Sequence, residues 1–420
     1  MRPSHSLRPA WQAWRHTQRK PTISTTSSTT IKSTTTTRTI TTRPGTFANI
    51  KYELLSRPPK TYYDYLTPTS SHLLNVTLAD QLSPPSRPYP YPPPTTSDLD
   101  HWTLTRIQKP PKPAAPLPLG HHLVYFPPTH PTSALLPDGT DADHWPGAPF
   151  VRRLWAGGSV HFAAPGEEQQ PLCLDGGRAV CVERVEDVRL TWARHHHHAP
   201  AGDEAVVGGG GQRDVADDKV FVDIVRHYGS VHEEDGDAGA GHSDEAMVKR
   251  VMANPTITER RTLVFLTAPG GGKGDEENKP SSPSRKNKES TITTKPDTTP
   301  NEIAHEILLT PSPALLFRFS ALTFNAHAIH LDPAHSTGPA EGHRARLVHG
   351  PLLLVLMLSA LRGALEGTGL AAAGLEYRNL EPLYVGEELR VRVARGRTRW
   401  NVWVEGPGGR LCVKGSAQVA

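Results

Sequence analysis

The stretch VHGPLLLVLMLSALRGAL, residues 348–365, constrains this chain more than any other. Read as a helix, it carries apolar residues on every face, so it cannot lie half in water and must be enclosed. Its longest strongly apolar run, Leu352 to Leu358, is far too short to span a bilayer, so the enclosure has to be protein. Pro351 falls in the first turn, where a missing N–H costs nothing. The segments that follow, GLEYRNL, ELRVRVARG, RWNVWVEG and RLCVKGSAQVA, have strand character. Leu389, Val391 and Val393 alternate with arginines; Trp400, Val402 and Val404 alternate with Asn401, Trp403 and Glu405. A buried helix followed by an antiparallel meander is best satisfied by a sheet wrapped around a central helix.

The rest of the chain cannot all be packed this way. Only 36% of its 420 residues are hydrophobic, 41 are proline and 35 are glycine. Mean hydropathy is -0.46, so ordered blocks separated by long disordered stretches are expected. The first ordered block is expected to start with DYLTPTSSHLLNVTLADQL, residues 64–82. There Leu73, Leu74, Leu78 and Leu82 suit one helix face, and Ser70 or Ser71 could cap it. A Pro-rich connector covers residues 83–97. LGHHLVYFPP and RRLWAGGSVHF read as short buried segments, and AVCVERVEDVRLTWAR, KVFVDIVRHYG and ERRTLVFLTA as strands. Polar, Gly-rich loops are expected at 195–212 and 230–246. The resulting map is a disordered segment 1–45, a block 46–268, a disordered linker 269–300 and a second block 301–420.

The start of the chain reads as an address. Arg2, Arg8, Arg15, Arg19 and Lys20 precede a Ser/Thr tract at 22–42, and no acidic residue appears before Glu53. That is the pattern of a mitochondrial transit peptide. The net charge of +4 gives no mandate for nucleic-acid binding. Cys173, Cys181 and Cys412 are too few and scattered for a disulfide framework or a zinc ribbon, and fit a reducing compartment.

Chemistry concentrates in FNAHAIHLD, residues 324–332. His330 precedes Gly350 by a loop that could fold back over the helix start. The first N–H groups of a helix lack intrahelical acceptors and sit at its positive end. A ligand carbonyl could therefore meet the Gly350 N–H as in an oxyanion hole, with His330 facing it as acid or base. The plainer reading is a His330 that only hydrogen-bonds a backbone carbonyl. His327 and His330 lack a third zinc ligand at a recognisable spacing. His349 reads as fixing the turn before the helix. The run His195–His198 sits in low-complexity surroundings without a pattern that supports metal ligation.

FRFSALTFNAHAIHLD and VHGPLLL together resemble the signature of MaoC-like (R)-specific enoyl-thioester hydratases. The branch they look most like is fungal mitochondrial hydroxyacyl-thioester dehydratase type 2 and mesaconyl-CoA hydratase-like proteins. LVYFPP, LLPDG and RRLWAGGSVHF resemble the first, non-catalytic repeat of that branch. The resemblance implies an α+β double hot-dog, two antiparallel sheets each wrapped around a central helix, with the chemistry in 301–420. It implies a hydro-lyase that reversibly dehydrates (3R)-hydroxyacyl thioesters to trans-2-enoyl thioesters, in fatty acid synthesis in the mitochondrial matrix. The family motif Asp-x-Asn-Pro-Ile/Leu-His puts its histidine on His330, its Ile/Leu on Ile329, its asparagine on His327 and its aspartate on Asn325. Its carbonyl-polarising glycine falls on Gly350. Asn325 departs from the motif, since an amide can orient water but cannot exchange its proton. His327 or Asp332 would then be a helper to His330. The substrate partner is an acyl-CoA or acyl-carrier-protein thioester, whose pantetheine phosphates Arg344 and Arg346 could meet, unless these are solvated loop arginines. No cofactor, metal, nucleic acid or membrane span is implied, and a homodimer is left open. The missing Asp also permits a non-catalytic acyl-thioester-binding protein, and the fold permits a hot-dog thioesterase.

Overall fold

The computed structural model describes residues 45–82, 115–164, 171–191, 218–231, 242–268 and 303–420. The expected disordered start (all but its last residue), the Pro-rich connector, the 195–212 loop with its histidine run, and the 269–300 linker lie outside the described residues.

Among the described residues, ten strands form one antiparallel sheet: β1 (Lys60–Tyr65), β2 (Phe150–Phe162), β3 (Arg178–Thr191), β4 (Lys219–Ser230), β5 (Ile257–Thr267), β6 (Ile303–Leu309), β7 (Ala372–Asn379), β8 (Leu389–Ala394), β9 (Arg399–Gly406) and β10 (Arg410–Val419). Their order is β1-β3-β4-β5-β2-β7-β10-β9-β8-β6. Read inward from either edge, the two halves follow the same order. They meet at β2 and β7, where Ser159 lies opposite Glu376 and a local two-fold relates the halves. The fold is the α+β double hot-dog, with its two sheets joined edge to edge.

The apolar stretch forms α7 (Gly350–Leu365), numbered seventh in chain order, and residues Leu352 to Leu361 are all buried. It lies against β6, β7, β8 and β9. Leu389, Val391, Val393, Trp400, Val402 and Val404 are buried with it, as their alternation required. The opposite side of the meander is covered in part. Trp403 and Glu405 are buried too, because Trp403 Nε1–H donates to Glu405 (3.0 Å) and Arg392 bridges Glu405 and Glu306. That side is a paired polar layer rather than a wet one.

In the first half, order begins earlier than residue 64. α1 (Gly45–Ser56) buries Leu54 against Phe150, Val188, Val222 and Phe265. α2 (Pro68–Leu82) buries Leu74 and Leu78 and leaves Leu73 39% exposed. The serines do not cap it: the helix starts at Pro68, and Ser71 Oγ instead sits 2.7 Å from His121 Nδ1. α3 (His242–Ala253) emerges from within the segment read as loop to residue 246, and packs Met247 and Val251 on Val180 and Val182. Where the second half has α7 after Gly350, the described residues of the first half have one 3-10 turn after Gly120, His121–Val124. This turn packs beside α7: a Cβ on Gly120 would touch Leu358 and Val355.

Candidate active site

α4 (Pro313–Leu322) is started by Ser312, whose side chain accepts the Leu315 N–H. It ends at Phe324, which adopts a left-handed φ of 52°. Asn325 then turns the chain: its N–H donates to Ser320 O, and its Oδ1 accepts the His327 N–H at 3.0 Å. The single turn α5 (Ala328–Leu331) follows and directs His330 inward. The first half braces this turn. Ala328 N–H donates to Asp138 O, and Gly139 lies so close that a Cβ there would be 2.1 Å from Ala326 O.

His330 is buried, and its Nδ1 is 2.9 Å from Leu347 O. A carbonyl only accepts, so Nδ1 carries the proton and Nε2 presents a lone pair. Burial lowers the His330 pKa to about 4; the Leu347 carbonyl opposes this and Arg153 adds to it. The ring is therefore neutral at pH 7. His349 stacks on it with centroids 3.7 Å apart and planes 25° apart, and His327 meets it edge-on at 5.5 Å. His349 is itself held, with Nε2 2.8 Å from Ser320 Oγ and the edge of Phe319 against its ring. Burial pushes His327 and His349 well below the ordinary histidine value, so the cluster rests uncharged.

Gly350 opens α7, and no hydrogen bond to its N–H is found among the described residues. The residue must be glycine for a reason the sequence did not show: a Cβ would sit 2.7 Å from Trp155 Cβ. Trp155 is fixed in turn by Nε1–H donating to Tyr377 Oη (2.7 Å) and by Asn379 donating to its carbonyl (2.8 Å). A cavity of about 1860 Å³ has Asn325, His327, His330 and Gly350 on its wall, with Arg153 and Trp155 from β2 facing it. A neutral imidazole with a free lone pair, beside an open helix N-terminus, can move a proton next to a polarised carbonyl.

The family model for hydroxyacyl-thioester dehydratase type 2 matches residues 120–222 and 219–385. The chain belongs to this family. It is 35% identical over 109 residues to the mesaconyl-C(4)-CoA hydratase of Chloroflexus aurantiacus, covering 26% of this chain and 38% of that one. It is 33% identical over 101 residues to the mitochondrial hydroxyacyl-thioester dehydratase type 2 of Schizosaccharomyces pombe, covering 24% and 32%. The chain thus spans less than half the length of either relative. A MaoC-like dehydratase structure from Phytophthora capsici aligns over 88% of this chain and 97% of its own, at 14% identity and a TM-score of 0.47.

For this family member, the structure gathers Asn325, His327, His330 and Gly350 on one cavity but leaves Asp332 out. Asp332 is exposed, and its Oδ1 accepts the Ala334 N–H to cap α6 (Pro333–Thr337). His327 Nε2 lies 3.7 Å from Asp138, beyond hydrogen-bond reach. Among the described residues no three His, Cys, Asp or Glu side chains are placed to hold a metal ion. Arg344 projects from the surface, paired with Glu387 and over the Tyr384 ring. Arg346 is half-buried, and its carbonyl accepts from Val385. Sequence reasoning missed the His349 stack, its Ser320 anchor, and Trp155 and Arg153. The last two come from β2, about 170 residues away in sequence, and no local pattern links them to FNAHAIHLD.

Proposed function

We propose that the chain reversibly dehydrates (3R)-hydroxyacyl thioesters to trans-2-enoyl thioesters, as a hydro-lyase. The observation that carries this is the His330 Nδ1–Leu347 carbonyl bond, which leaves Nε2 basic beside the Gly350 N–H. In the hydration direction, the Asn325 side chain holds a water over the β-carbon. His330 Nε2 takes one proton as the water oxygen bonds to that carbon. The electron pair of the double bond moves onto the thioester, and the Gly350 N–H stabilises the enolate oxygen. The imidazolium then returns its proton to the α-carbon. One base serves both proton transfers, because Asn325 cannot exchange a proton and Asp332 is spent on a helix cap.

In this reading residues 301–420 carry the chemistry and 46–268 form the non-catalytic half that braces it. Residues 1–45 would act as a transit peptide and 269–300 as a linker. The basic, acid-free start and the mitochondrial fungal relative support a mitochondrial location; we place the reaction in the matrix, in fatty acid synthesis, with CoA or acyl carrier protein bearing the acyl group. The test is crotonyl-CoA consumption followed by enone absorbance, with thiol release measured in parallel. Loss of absorbance without thiol supports the dehydratase. Thiol release would point to a thioesterase, and binding without either signal to a non-catalytic acyl-thioester-binding protein.

A further inference from the structure

The first half reaches the site through a tight turn in the segment LLPDGT, residues 135–140. Gly139 N–H donates to Leu136 O (2.8 Å), Leu136 N–H donates to Thr140 O (2.7 Å), and Gly139 takes the left-handed φ of 82° that closes the turn. Asp138 sits inside it. Its Oδ1 accepts two hydrogen bonds, from the Thr140 N–H (2.9 Å) and the Thr140 hydroxyl (2.7 Å). One carboxylate oxygen therefore serves the turn. The other, Oδ2, lies 3.7 Å from His327 Nε2 and accepts no hydrogen bond among the described residues.

His327 meets this carboxylate from the second half. Its ring is on the cavity wall, yet its side chain is only 6% exposed. Nε2 is buried without a hydrogen-bond partner, on the Asp138 side, so Nδ1 is the nitrogen left for the cavity. Arg153, His330 and His335 also act on the ring, and none of them is negative; Asp138 is the carboxylate among the groups that face it. A separation of 3.7 Å is too long for a hydrogen bond. In a buried setting a carboxylate at that distance still attracts an N–H edge and repels a lone pair. The neutral ring therefore rests with its proton on Nε2 and its lone pair on Nδ1. The approach is locked by the backbone, since Ala328 N–H donates to Asp138 O and Gly139 abuts Ala326 O.

We infer that Asp138 is a positioning residue of the active site, supplied by the first half: it fixes the His327 tautomer, so that Nδ1 accepts a hydrogen bond from the water that adds to the double bond. The inference rests on the dehydratase reading for that water. To aim a lone pair at the β-carbon, the water needs an acceptor for each of its hydrogens. His330 Nε2 takes one as a proton. The hydrogen bonded to His327 Nδ1 stays on oxygen and ends in the product hydroxyl. The site thus regains, behind His327, the carboxylate that Asn325 does not provide.

The experiment uses the full chain carrying Asp138→Asn. Asparagine keeps Oδ1 for the Thr140 turn but presents an amide N–H to His327 Nε2, so the urea melt should match wild type while the favoured tautomer reverses. On crotonyl-CoA, kcat should fall roughly tenfold, the worth of one hydrogen bond to the water, with KM little changed. In a His327→Ala background the same substitution should cost little more. A wild-type kcat overturns the inference. So does an equal loss in both backgrounds, which makes Asp138 part of the scaffold. A second readout needs no turnover: NMR of the histidine ring nitrogens in isotope-labelled protein, with the His327 signals identified by their loss in His327→Ala. Wild type should show the Nε2–H form and Asp138→Asn the Nδ1–H form. The Nδ1–H form in wild type, or no change in Asp138→Asn, overturns the inference. If the tautomer reverses as expected but the wild type hydrates no enoyl-CoA, the reaction is wrong and the assignment of Asp138 to His327 stands.

Discussion

Acid should unfold this protein before it titrates His330. His330 and His122 are both buried, with pKa values lowered to about 4 chiefly by desolvation, and His121 is lowered to about 3 for the same reason. In the unfolded chain each would return to about 6.5. Between pH 6.5 and 4 the unfolded state therefore binds protons that the folded state refuses, so stability falls as pH drops. From pH 7 to pH 5, each of the three should cost about 2 kcal/mol, or about 6 kcal/mol together. That approaches the whole stability of an ordinary domain, roughly 5–15 kcal/mol. Urea melts at half-unit steps from pH 7.5 to 4.5 should show a steep, multi-proton loss, with activity following the folded fraction. His122→Phe should shallow the slope by about one proton, since His122 Nε2 has no hydrogen-bond partner and its ring is enclosed by Phe162 and Tyr228. A melting midpoint that stays flat from pH 7 to 5 would refute the reasoning, and so would an unchanged slope in His122→Phe.

Other outcomes follow from the same contacts. Gly350→Ala forces a Cβ to 2.7 Å from Trp155, so it should cost about 1–3 kcal/mol in urea melts and abolish hydratase activity in the remaining folded enzyme. Asn325→Ala should lower kcat less than His330→Ala, because it removes water positioning while the base remains, and Asn325→Asp should be tolerated with a changed pH–rate profile. His327→Ala should also cost less than His330→Ala; an equal loss would mean that the two histidines act as a unit. Ser320→Ala frees the stacked His349 ring and should lower kcat with little change in KM, which a purely structural role would not produce.

Much of the second half was legible because its constraints are local. Residues 350–365 are apolar all round, and the strands after them alternate, so helix, meander and wrapping follow from burial alone. The glycine and histidine of the site could be placed for the same reason, one at a helix start and one before a loop returning to it. What stayed hidden depends on contacts between distant segments. α1 and α3 have short apolar faces that acquire meaning only against β3, β4 and β5. Alternation along β9 could not reveal that Trp403 and Glu405 are buried as well, because their partners, each other and Arg392, are set by register. Asp332 looked like chemistry because a capping aspartate and a catalytic one are the same letter.

The most direct test of the account is His330→Ala assayed on crotonyl-CoA beside the wild-type enzyme, with circular dichroism and a urea melt on the same preparation. The side chain faces a cavity and makes a single described hydrogen bond, to Leu347 O, so the fold should survive its removal. The account predicts a folded protein whose hydration rate has fallen by roughly 100- to 10,000-fold, the usual worth of a positioned acid–base group. A folded His330→Ala protein that hydrates crotonyl-CoA at the wild-type rate would contradict it, and would return His330 to the scaffold.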